Sequence, residues 1–204
     1  TNNMSAVACA TLGPNAMTGG LTKQGSGSLT LGGTNTYGGA TTIAEGTVKL
    51  GNALALPTGT DVVLAGGTLD LNGFTVTNAI SGAGTVTNGA IETVISPAGE
   101  GALGVEDLAF RSVSVQGLYL ADVTAHASDR VDVHGSLDLS GIDLQIVDPA
   151  LLNRETKYEI LTCDGTLSGT FKSNNLPDSR WHVIYRESGT VKLVFVDGTV
   201  LLLC

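Results

Sequence analysis

The sequence predicts an all-β chain wound as a parallel β-solenoid. Three observations predict it. A short glycine-led phrase recurs about every twenty residues. Aliphatic and polar residues alternate within each copy, the period of a half-buried strand. The composition is also rich in turn-formers and poor in charge. The chain has 204 residues, enough for about one domain or two small ones sharing a core. Hydrophobic residues are 42% and charged residues 14%, so a core can form and the disordered signature is absent. The 28 glycines are roughly double the ordinary share. With many Thr, Val and Leu they suit short strands between tight turns.

The phrase first appears as Gly27-Ser28-Leu29-Thr30-Leu31 and Gly46-Thr47-Val48-Lys49-Leu50. It returns as Gly67-Thr68-Leu69-Asp70-Leu71 and, weaker, as Gly84-Thr85-Val86-Thr87-Asn88. Stacked in register, Leu29, Val48, Leu69 and Val86 form one inward ladder, and Leu31, Leu50 and Leu71 the next. Asn35, Asn52, Asn72, Asn78 and Asn88 fall at turns, where asparagine tolerates left-handed backbone. The competing architecture is an antiparallel sandwich, with Asn72-Gly73 and Asn88-Gly89 as hairpin turns. The solenoid absorbs the unequal spacing of the copies better. The repeat breaks at Ser96–Gly104, which divides the chain into repeats over 1–98 and a C-terminal portion, 99–204, continuing the same core. Residues 105–148 still alternate, with nine acids between Glu100 and Asp148 against only Arg111 and Arg130. Later copies of the phrase start at Gly135, Gly189 and Gly198. Tyr158, Phe171, Trp181 and Tyr185 make the last third more aromatic, suited to closing the stack by larger cross-strand contacts. Helix is confined to one expected turn at Pro149–Glu155.

Residues 20–51 carry a family resemblance. Leu29-Thr30-Leu31, the loop Asn35-Thr36-Tyr37-Gly38-Gly39 and the tract Gly46–Gly51 resemble, in that order, the autotransporter-associated (passenger-associated) β-strand repeat. The tracts Ser128–Gly141 and Tyr158–Phe171 resemble the portion that follows such repeats in large bacterial surface proteins. The resemblance implies a right-handed parallel β-helix, extracellular or at the cell surface, with a structural and non-enzymatic role. Two features depart from the pattern: no translocating membrane barrel is present in the sequence, and cysteines are unusual in passengers.

A net charge of −9 argues against nucleic-acid or anionic-membrane partners, which need a basic patch. No apolar run is long enough to span a bilayer as a helix. No Lys or Arg precedes Lys23, so an exported protein is expected here without its signal segment. G-x-S-x-G, HExxH and P-loop motifs are absent. Gly99-Glu100-Gly101-Ala102-Leu103-Gly104 matches G-x-G-x-x-G but leads into an alternating strand, so no nucleotide cofactor is expected. Asp132, His134, Ser136 and Asp138 share one strand face. Asp132, His134 and Asp138 are weak metal candidates against the plainer reading of a solvated face, and no cofactor is assigned. Asp132, Asp138 and Asp143 offer carboxylates for a pectin-lyase-like or glycosidase groove, with Arg130 the one nearby base. Trp181, beside His182 and Tyr185, suits either a sugar platform or the core. The alternative function is therefore a carbohydrate-binding or polysaccharide-acting β-helix, with a glycan partner.

The termini suggest self-association. Val200, Leu201, Leu202 and Leu203 precede Cys204, and Met4–Ala10 is apolar and uncharged. Uncapped apolar ends favour head-to-tail contact and filaments. Cys9 and Cys204 are placed to cross-link neighbours in an oxidising compartment.

Overall fold

The computed structural model describes residues 6–8, 19–97 and 107–197. The chain opens with β1 (Ala6–Ala8), then lays down β2 (Leu21–Lys23), β3 (Ser28–Leu31), β4 (Thr41–Ile43) and β5 (Thr47–Leu50). The long β6 (Val62–Asp70) is followed by β7 (Thr75–Val76), β8 (Ile80–Ser96) and β9 (Asp107–Ala121). Next come β10 (Arg130–His134), β11 (Leu137–Asp138), β12 (Ile142–Ile146), β13 (Tyr158–Cys163), β14 (Leu167–Ser168) and β15 (Ser173–Asn174). β16 (Trp181–Tyr185) and β17 (Thr190–Phe195) complete the described chain. Among the described residues the architecture is all-β, with one short 3₁₀ turn at Pro149–Leu151 that Asp148 caps through its side chain.

One large sheet runs β1-β3-β5-β6-β8-β9-β10-β13, parallel throughout. Leu29 pairs with Val48, Val48 with Leu69, and Leu69 with Val86, the ladder expected from the repeat. The same row continues through Phe110, Val133 and Cys163. Its steps are 19, 21, 17, 24, 23 and 30 residues, so the repeat units lengthen toward the C-terminus. Val48, Leu69 and Val86 are completely buried. Each contributes about 1.5–3 kcal/mol relative to exposure. Leu31, Leu50 and Leu71 are buried beside them.

Two further columns stack in parallel. β2 and β4 lead into the first half of β6, which pairs with the first residues of β8. β7, the ends of β8 and β9, β12 and β15 form the other. β6 serves two columns because one extra residue at Gly66-Gly67 shifts its register on β8, a β-bulge that bends the strand. Gly82 sits at φ 88°, and a Cβ there would run into the Leu64 carbonyl oxygen of the preceding unit. Only glycine permits that approach.

The sandwich alternative fails at its proposed turns. Asn72 and Asn88 are left-handed, with φ of 50° and 60°, but Asn88-Gly89 lies inside the unbroken β8. Gly73 N–H donates to the Asn88 carbonyl of the next unit. These turns thus connect parallel neighbours. Apart from an isolated Val123–Ser128 bridge, antiparallel pairing among the described residues is confined to the C-terminal end of the sheet. β17 runs antiparallel to β13, and β16 antiparallel to β17. The phrase at Gly189 therefore builds a strand of opposite direction, and the one at Gly135 builds β11, which pairs with β14 outside the large sheet.

Candidate functional site

The turns hold the stack through side-chain amides. Asn35 Nδ2 donates to the Ala55 carbonyl at 2.7 Å, and Asn52 Nδ2 to Gly32 at 2.7 Å. Asn72 Nδ2 reaches Leu50 O at 3.0 Å. Asn78 Nδ2 donates to Pro57 O at 2.8 Å and Thr60 O at 2.7 Å. Each bond crosses about one repeat unit, so the asparagines do more than permit left-handed turns: they tie turn carbonyls of one unit to the next. Lys23 does the same with charge. Its side chain folds into a nearly buried position, and Nζ donates to the carbonyls of Gln24 at 2.9 Å, Gly25 at 2.5 Å and Glu45 at 3.2 Å. Nothing in the local sequence announces that lysine, because its acceptors are backbone groups assembled by the stack.

The polar face of β10 and β11 resolves into separate pairs. Asp132 accepts from Arg130 at 2.8 and 3.0 Å and from Thr162 Oγ1 at 2.5 Å. Burial pushes its carboxyl up, but those donors outweigh burial and hold it below the usual range. His134 Nδ1 lies 2.9 Å from Asp164, whose second oxygen accepts from Gly135 N–H at 2.7 Å. Asp138 Oδ1 caps Ser140 N–H at 3.0 Å. Asp143 binds Ser173 Oγ at 2.6 Å and faces Lys172 at 3.5 Å. Each predicted ligand thus has its own neighbour. Among the described residues no three His, Cys, Asp or Glu side chains converge at metal-holding distance.

Trp181 belongs to the core. It is 6% exposed, with its ring 6.2 Å from Tyr158 and 5.5 Å from Phe195. Arg154 and Arg180 stand over Phe195 at 4.9 and 5.0 Å. Tyr119, Phe171 and Tyr185 form a second aromatic row, and Tyr185 Oη accepts from Phe171 N–H at 3.0 Å. Trp181 therefore offers no open sugar platform. His126 is exposed at the tip of the loop between β9 and β10. The cysteine and apolar interface candidates, Cys9, Val200, Leu201, Leu202, Leu203 and Cys204, lie outside the described residues, as does Gly99–Gly104. Cys163 is a free thiol buried in the main ladder. Among the described residues no helix is long and apolar enough to cross a membrane.

Residues 21–50, from the start of β2 to the end of β5, match the family model of the passenger-associated-transport-repeat. No curated protein matches the chain.

Proposed function

We propose that this chain, which carries a passenger-associated transport repeat, is a mechanical section of an exported, autotransporter-like bacterial surface protein. The fold reading is a right-handed parallel β-solenoid. The role is non-enzymatic: a stiff, protease-resistant rod that spaces or displays what it is joined to. The observation that carries this reading is the continuous parallel ladder from Leu29 to Cys163, crossing every unit in register. Such a stack has one long core and few loops that a protease can enter. Each unit adds about 4.8 Å of length.

Small-angle scattering of the purified chain tests the shape, with limited proteolysis beside it. An elongated particle with resistant cores over residues 19–97 and 107–195 is expected. A spherical particle cut first within β5 or β6 would refute the rod. Head-to-tail self-association is the partner this reading favours, since β1 and β16 are the end strands of the described sheet's main path. Analytical ultracentrifugation without reductant reads it: a concentration-dependent series is expected, and a clean monomer at high concentration ends the idea.

A further inference from the structure

The parallel stack has a notch. β9 pairs with β10 over Asp107–Arg111 and with β12 over Gly117–Ala121. Between those blocks, residues 112–116 of β9 face seven residues of the next unit, 135–141, instead of five. The two extra residues make that unit swing outward. β11, the strand inside the swing, pairs with β14 and not with β9. A cleft of ≈ 460 Å³ opens where the ladder is interrupted, a size within the ordinary range of about 300–1,000 Å³ for small-ligand sites.

The wall of the cleft is a strand edge. Gly117 N–H points to this side, since it donates to Gly141 O. The period of two then places the amide and carbonyl of Val115 and Val113 on the same side. No described strand pairs there, although on its other side Val113–Gln116 pair with β8. The rim adds exposed Ser114 and Gln116 from one unit and exposed Ser136, Asp138 and Ser140 from the next. Donors and acceptors therefore alternate around the opening. Among the described residues no Lys, Arg or His lines it, and the one charge is a carboxylate. An anionic ligand has no counter-charge here. An extended peptide would find the edge but no side-chain pocket to specify it. Hydroxyl groups, which both donate and accept, match the lining best.

We propose that the notch between β9 and β11 is a binding site for a short neutral saccharide, held by hydrogen bonds to the Val113–Gln116 edge and the serine-rich rim. Without an aromatic platform the affinity is expected to be millimolar. The site goes beyond the rod reading and stands or falls separately, since a rod with an empty notch is still a rod.

Saturation-transfer NMR on the full chain tests it, with cellotriose, chitotriose and maltotriose as neutral probes and digalacturonate as the acidic one. Gln116→Ala removes the amide and Ser114→Tyr fills the opening. Both side chains are exposed, and an unchanged melting curve confirms that each variant folds. Thr58→Ala, in a separate loop cleft of ≈ 490 Å³, serves as control. Transfer to at least one neutral trisaccharide is expected, weakened about tenfold or more by Gln116→Ala, abolished by Ser114→Tyr and kept in Thr58→Ala. Silence from all neutral probes at millimolar concentration would overturn the proposal. So would binding indifferent to both cleft substitutions, equal binding of digalacturonate, or displacement of the sugar by an unstructured hexapeptide that takes up strand conformation.

Discussion

Leu69 is the position at which the stacking argument is most exposed to refutation. Its side chain is completely buried, with Val48 of one unit and Val86 of the next directly in register on either side. Leu69→Ala removes packing from both neighbours at once. Core truncations of this kind cost about 2–5 kcal/mol, and flanking strands fixed by their own ladders leave little freedom to collapse into the gap. Leu69→Asp adds a carboxylate with no donor in an apolar row, a further cost of several kcal/mol. A domain of this size is stable by only about 5–15 kcal/mol. The aspartate variant is therefore expected to lose its middle units, and the alanine variant to unfold at clearly lower denaturant. Equilibrium unfolding in guanidinium, followed by far-ultraviolet circular dichroism, reads both. A midpoint for Leu69→Asp equal to the parent's would show that this residue faces no core, and the ladder would have to be abandoned.

Other substitutions probe the remaining parts of the structure. Asn78→Ala removes the donor to Pro57 O and Thr60 O; Thr60 Oγ1 still serves Pro57 O at 2.9 Å, so the loss falls on the buried Thr60 carbonyl, at a cost of about 1–3 kcal/mol by the same unfolding assay. Gly82→Ala meets both a positive φ and the Leu64 carbonyl, so it should cost more than the ~1 kcal/mol of a simple backbone effect, with a lower melting temperature as the readout. Asp122 is 7% exposed with Oδ2 unpaired, and burial pushes its carboxyl up. Its folded value lies above the unfolded one, so the linked stability is complete below the unfolded value and is lost as pH rises through the folded value. Asp122→Asn should therefore raise the denaturation midpoint at neutral pH and bring no gain below about pH 3.9; an equal gain at both pH values would contradict the assignment.

The sequence by itself determined the strand phrase, its inward residues and its turns. That information is local. Alternation says which side chains of Thr47–Leu50 share a face, and asparagine at 72 and 88 announces a left-handed turn. It also carried the repeat over residues 21–50, where spacing and loop composition coincide. What only the tertiary structure decided is what each strand pairs with. The phrases at Gly46 and Gly189 are the same string, Gly-Thr-Val-Lys-Leu, yet the first becomes a parallel rung and the second an antiparallel strand against β13. Direction depends on how the intervening chain returns, which no five-residue pattern encodes. The continuation of the ladder through Phe110, Val133 and Cys163 was hidden for the same reason, because longer units remove the regular spacing. The acidic face shows the converse. Period two put Asp132, His134 and Asp138 on one side of the chain, but Arg130, Thr162, Asp164 and Ser140 decided their partners. A carboxylate's chemistry is set by the donors brought within about 3 Å of it; Arg130 stands two residues from Asp132 on the same strand, whereas Thr162 and Asp164 came from a unit thirty residues away.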